Sequence, residues 1–113
     1  MVLRRKLPDG IIEQMKDRRG RVVNLPETAM RHIARRHPEM DGCQMAIKAA
    51  VESARDRCQG KKNGKLVDGR EILYAQELGP AAWLAVVVAY VDDMGTVITA
   101  YADRHGPREG DRI

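Results

Sequence analysis

The sequence is poor in cysteine and has no long apolar run. Cys43 and Cys58 are the only two cysteines among 113 residues, too few for the disulfide framework of a small secreted domain. They do not suit a single bridge either. Cys43 opens a helical pattern and Cys58 lies beyond its end. Fifteen residues of helix rise about 22 Å, whereas a disulfide spans roughly 7 Å between Cα atoms. Free buried thiols in a reducing cytoplasm are the expectation. The longest apolar stretch, Pro80 to Val91 (PAAWLAVVVAYV), falls short of the about 20 residues of a membrane-spanning helix. It reads as a buried strand, and no membrane partner is expected. No apolar segment follows the basic start MVLRRKLPDG, which argues against a secretory signal. The initial Met suits a complete small protein.

Other absences concern chemistry. There is no Walker loop, GxGxxG, GxSxG, zinc-finger spacing or internal repeat. His32 and His37 stand five apart, not the four that would put two metal ligands on one helical face. Asp92-Asp93 is a lone carboxylate pair in a turn, where Mg²⁺ wants several carboxylates together. No metal or cofactor is expected.

What is present is charge and hydrophobic pattern. The hydrophobic fraction is 43% and the charged fraction 32%, which suits one folded domain. The net charge is +4, unevenly spread. Residues 1–36 carry ten basic and four acidic side chains, and Arg outnumbers Lys 14 to 6. Arginine grips phosphate in a planar two-point fork, so a basic first third fits a polyanion, most simply nucleic acid. An ordinary solvated face remains the alternative.

Along the chain, residues 1–10 read as a flexible basic leader. Ile11 to Lys16 and Arg21 to Leu25 form a hairpin about the turn Asp17-Arg18-Arg19-Gly20. Pro26 and Glu27 suit a helix start, and a helix from Glu27 to His37 stops at Pro38. A second helix follows from Gly42 to Ala54, with Met45, Ala46, Ile47, Ala49, Ala50 and Val51 as its broad apolar surface. Arg55 to Arg70 reads as a mobile loop containing the turn dipeptides Asn63-Gly64 and Asp68-Gly69. Glu71 to Glu77, Ala82 to Val91 and Thr96 to Ala102 are strands rich in Val, Ile, Tyr and Thr. Gly79-Pro80 joins the first two strands and Asp92 to Gly95 the last two. The buried run makes the central strand. Residues 104–113 read as a disordered tail. The order β-β-α-α-β-β-β predicts an α+β domain over residues 11–103, a small antiparallel sheet with two helices packed on one face.

The densest polar cluster is His32-Ile33-Ala34-Arg35-Arg36-His37-Pro38-Glu39. Helical spacing puts Thr28, His32 and Arg36 on one stripe. It turns His37 toward the more apolar side, as a buried structural histidine. Such a set suits phosphodiester transfer without a metal. Cleavage of RNA needs a base for the 2′-hydroxyl proton and an acid for the leaving 5′-oxygen. It also needs positive charge on the phosphorane-like transition state. Imidazole can act as either acid or base, Arg36 can hold the phosphate, and Arg35 and the Lys61 to Lys65 stretch, Lys61 and Lys62 included, can bind the substrate backbone. A salt-bridged, solvated helix face is the alternative. Tyr74, Tyr90 and Tyr101 sit on strands, where core packing is the ordinary role. Thr99 and Tyr101, two apart, share a face and would flank a substrate if that face is open. Trp83 reads as core and His105 as inert.

The succession RVVNL, HIARRHPEM, a second helix, ILY, WLAVVVAY and TVITAY resembles the phage-associated barnase–EndoU–colicin–RelE-like nuclease families, over roughly residues 15–103. Its anchors are His32-Ile33, Arg36-His37-Pro38-Glu39 and Val97 to Tyr101. The resemblance implies a barnase- or RelE-like fold and a metal-independent endoribonuclease of phage or toxin type. It implies RNA, tRNA included, as substrate, and an antitoxin or immunity protein as partner. The matching positions are His32, Arg36, His37 and Glu39, with Tyr74, Thr99 and Tyr101 on the sheet. The sequence departs from the pattern at Leu25-Pro26, where a Thr or Ser cap is expected, and at Met30, where a Trp is expected. Neither departure removes a titratable group. Two other readings stand beside this one: a non-catalytic module of the same fold that binds RNA or a protein, and a small structural or regulatory protein whose histidines only pack.

Overall fold

Three tight turns organise the chain. The Asp17 side chain accepts the backbone N–H groups of Arg19 and Arg21, each at 2.9 Å. This fixes the turn between β1 (Ile11–Lys16) and β2 (Val22–Pro26). Asn63-Gly64, with φ of 53° and 77°, closes a two-residue hairpin between β3 (Asp56–Lys62) and β4 (Lys65–Ala75). Asp92-Asp93, at φ 49° and 64°, does the same between β5 (Trp83–Val91) and β6 (Met94–Asp103). Positive φ at both central positions matches the right-handed twist of the flanking strands. The computed structural model describes residues 7–76 and 82–113. The expected basic leader lies outside them for residues 1–6, as does the Gly79-Pro80 connection.

Between β2 and β3 lie two helices, α1 (Glu27–Arg36) and α2 (Gln44–Ser53), joined through a 3-10 turn at Pro38–Met40. β2 runs into α1 without a loop, and the backbone N–H of Glu27 is taken by the Gly10 carbonyl at 2.8 Å. Ile33 of α1 and Ile47, Ala50 and Val51 of α2 are buried. They form one core with Val23, Leu25, Leu73, Leu84, Val86, Val88, Val97 and Ala100 of the sheet. The i, i+3, i+4 spacing on α2 and the alternation along the strands place these residues on facing surfaces. Met45, assigned from the sequence to the apolar surface of α2, is exposed instead.

The sheet is larger than expected and not purely antiparallel. Six strands run in the order β1-β2-β6-β5-β4-β3. β2 and β6 pair in parallel through Val22–Met94, Val23–Gly95 and Asn24–Thr96. The added strand, β3, occupies the stretch read from the sequence as a mobile loop. Residues 104–113 are no disordered tail. The backbone of Arg112 bridges Cys58, and the N–H of Ile113 donates to the Arg57 carbonyl at 3.1 Å, both on β3. β5 is central, with Leu84 to Val88 buried. Among the described residues no helix is long and apolar enough to cross a membrane.

Strands lie about 4.8 Å apart, so the outer two of a flat six-stranded sheet would be roughly 24 Å apart. Here Asp17, at the end of β1, and Arg57, on β3, approach to 3.9 Å. The sheet is therefore strongly curled. Arg21 bridges the gap, forking onto both Glu71 carboxylate oxygens at 2.9 Å while its Nε donates to Asp17 at 2.9 Å. Arg57 donates to Glu71 at 2.6 Å, and the Tyr90 hydroxyl donates to Asp17 at 2.8 Å. The Arg21 guanidinium also lies 3.6 Å over the Tyr90 ring, a cation–π contact. Burial alone would raise the Asp17 and Glu71 carboxyls. The hydrogen bonds and charges of Arg21, with Tyr90 at Asp17 and Arg57 at Glu71, outweigh it and hold both below their ordinary values.

Candidate active site

The face of the sheet turned away from the main core carries two rows of side chains. In the first, Ala85 of β5 pairs with Tyr74 of β4 on one side and Tyr101 of β6 on the other. In the second, Val87 lies between Ile72 and Thr99, with Cys58 of β3 beyond Ile72. Small Ala85 is fully buried beneath the two tyrosines. Trp83 packs edge-on against Tyr74, ring centres 6.3 Å apart at 88°.

His37 reaches this face from the end of α1. Proline disfavours the α region for the residue before it, and His37 has φ −133° and ψ 78°. It caps the helix through its backbone N–H, which donates to the Ile33 carbonyl at 2.7 Å. Its ring lies against Tyr101, centres 5.7 Å apart and tilted by 37°. The side chain is 35% exposed, so His37 is not the buried structural histidine that a helical wheel suggests. Its Nδ1 stands 4.0 Å from the Glu39 carboxylate, beyond hydrogen-bond length and within reach of a small side-chain rotation.

The C-terminal segment crosses the same face. Gly106, at φ 69°, sits against the Trp83 indole where a Cβ would clash. The Cys58 thiol lies 3.6 Å from the Arg108 carbonyl oxygen. Lys61 pairs with Asp111 at 2.9 Å, and Arg112 with Asp56 at 3.1 Å. A cleft of about 180 Å³ remains between this segment and the sheet, lined by Tyr74, Tyr101, Ile72, Lys61, Asp103 and Arg108 among others.

Burial, then the Asp103 carboxylate, pushes the Tyr101 hydroxyl up, and Tyr74 and Arg108 pull in the opposite direction. Burial, then Tyr101 and Asp103, raises Tyr74 well above the ordinary phenol range. Both phenols are therefore neutral at physiological pH and act as hydrogen-bond donors, not as bases. Burial also raises the Cys58 thiol, which leaves it a poor nucleophile. Thr99 Oγ1 is buried on this face without a hydrogen-bond partner. Such atoms are rare in folded proteins, and each calls for an explanation such as strain, a bound water or ion, or a catalytic role.

Of the residues singled out in the sequence, Tyr74, Tyr101 and Lys61 line one cleft, His37 packs on Tyr101 with Glu39 4.0 Å from its ring, and Thr99 lies two residues before Tyr101 on the same face of β6. His32, Arg35 and Arg36 are exposed along α1, with no side-chain hydrogen bond or ion pair to any described residue. Lys62 is exposed beside the β3–β4 turn. Asp103, Arg108 and Asp111 of the cleft were missed, because the segment that carries two of them has no periodic pattern. Among the described residues no group of three His, Cys, Asp or Glu side chains can hold a metal ion. Protein-family models, curated proteins and solved structures offer no match to the chain.

Proposed function

We propose that the protein is a metal-independent endoribonuclease that cleaves RNA by transesterification to a 2′,3′-cyclic phosphate. The observation that carries this reading is the His37 ring set against Tyr101, on the face where Thr99 keeps an unpartnered hydroxyl. His37 takes the 2′-hydroxyl proton as the 2′-oxygen attacks phosphorus. As imidazolium it then returns a proton to the departing 5′-oxygen. Glu39 orients the ring and stabilises its charged form. Neutral Tyr101 donates a hydrogen bond to a non-bridging oxygen, whose charge grows in the transition state, and a turn of the half-buried Thr99 side chain brings its hydroxyl to the same phosphate. The exposed Arg35 and Arg36 of α1 and Lys62 of the β3–β4 hairpin hold the flanking backbone, while Lys61 is engaged by Asp111. The fold would then be of the barnase or RelE kind, working in the cytoplasm under an antitoxin or immunity protein.

The 4.0 Å gap between His37 and Glu39 favours a second reading, a module that binds RNA without cutting it. One assay separates the two. Purified protein is mixed with total RNA and with single-stranded DNA, both in EDTA. RNA fragments ending in 2′,3′-cyclic phosphate, with DNA intact, are expected. DNA cutting, or RNA cutting that requires Mg²⁺, overturns the mechanism, and binding without cutting leaves the second reading.

A further inference from the structure

We infer that the cleft under the C-terminal segment binds one unpaired nucleotide, with its base against Tyr74 and Tyr101 and its phosphate on Arg108. The inference deepens the ribonuclease reading by naming a substrate class, single-stranded RNA, and it rests on that reading for the choice of RNA.

Size comes first. About 180 Å³ lies below the roughly 300 Å³ at which drug-sized pockets begin. A single ring system fits and a helix does not. The cleft is also roofed. Gly106 against Trp83, the Lys61–Asp111 and Arg112–Asp56 ion pairs and the Ile113–Arg57 backbone bond pin the segment across the sheet. A base enters such a space only when it is splayed out of its stack. Proteins that read single-stranded RNA use such bases, stacking them on aromatic rings and bonding their edges.

The polar groups match a nucleotide. Lys61 is already neutralised by Asp111. Arg108 is exposed, lines the cleft, and has no ion pair among the described residues. It lies close enough to both phenols for its charge to act on their titration. A free guanidinium in a cleft lined by two tyrosines is a two-point phosphate grip. Asp103 Oδ1 accepts the His105 N–H at 2.8 Å, and its second oxygen can take an amino group of a base or a ribose hydroxyl. The C-terminal segment therefore completes the site.

The test uses the full chain and RNA that cannot be cleaved. Trp83, the only tryptophan in the chain, reports binding by its fluorescence. The probes are the four 5′-mononucleotides, a 2′-O-methyl hexanucleotide, and that hexanucleotide in a duplex. The single strand should bind at least ten-fold more tightly than the duplex. Arg108→Gln should weaken mononucleotide and single-strand binding about ten-fold, and Arg108→Lys should recover part of it. Equal or tighter duplex binding overturns the inference. So does Arg108→Gln binding as well as the parent or better, the result expected of a segment that merely covers the site. Single-strand binding together with failure to cleave natural RNA rejects the ribonuclease reading and keeps the nucleotide site. Cleavage that is unchanged in Arg108→Gln, without mononucleotide binding, rejects the site alone.

Discussion

The imidazole of His37 and the ring of Tyr101 lie 5.7 Å apart, one at the end of a helix and the other near the end of the last strand. The contact makes His37, more than His32, the test of catalysis. His37→Ala should lower RNA cleavage by about 10²–10⁴-fold, the usual worth of a general acid–base. It should cost only about 0.5–1.5 kcal/mol of stability, the scale of an aromatic pair. His32→Ala should change cleavage far less, because the exposed His32 touches none of the groups gathered on the sheet. Initial rates on one RNA, with melts of both variants, decide it. A larger loss at His32 would move the active site onto the outer face of α1.

Part of this arrangement was legible in the sequence. The run Leu84 to Val88 announces a central strand, and Pro38 the end of α1. The same proline defeats the helical wheel at the decisive residue, because it takes His37 out of the helix and turns its ring toward β6. β3 was hidden for another reason. Its stretch DRCQGKK lacks apolar alternation, since the residue it buries toward Leu73 is Arg57, tolerated there only through Glu71. The C-terminal segment is held by backbone bonds and a glycine contact, which leave no periodicity to read. Arg108 was invisible for that reason.

Arg57 is 3% exposed at its side chain, and Glu71 is its closest counter-ion, at 2.6 Å. Glu71→Ala would strand Arg57 and both arms of the Arg21 fork, leaving Arg21 its Nε bond to Asp17. It should cost about 3–5 kcal/mol, the usual penalty for a buried charge left without its partner. Adding Arg57→Met should recover much of that loss, because the uncompensated charge is then gone. Urea unfolding of the single and double variants measures both. A double variant less stable than Glu71→Ala would mean that the network contributes more than charge pairing.

The same carboxylates set the acid limit of the fold. Asp17 and Glu71 titrate in the folded protein below their ordinary values of 3.8 and 4.5. Groups of this kind stabilise fully above the ordinary value. Their contribution declines as the pH falls below that value and is gone once the pH passes the depressed folded value. Unfolding midpoints should therefore hold steady from neutral pH down to about 5 as far as these groups are concerned, then fall steeply. Glu71→Gln, compared with the parent over the same series, should show a shallower acid decline. An equal slope would assign the acid limit to other groups.

Thr99 separates function from stability most cleanly. Its Oγ1 is buried without a partner, and an unmade hydrogen bond at a buried group costs about 1–3 kcal/mol. Valine has nearly the same shape and no hydroxyl, so Thr99→Val should raise stability by about 1 kcal/mol. If the hydroxyl serves the developing phosphorane, the same change should lower cleavage by about 10²-fold or more, the usual scale for one lost transition-state donor. Thr99→Ser, which keeps the hydroxyl, should retain most of the activity. Denaturation midpoints and single-turnover cleavage of the two variants give the answer together. A stabilised Thr99→Val with full activity would mean that the lone hydroxyl is an uncompensated cost of the fold, and the sheet face would lose one of its two phosphate donors.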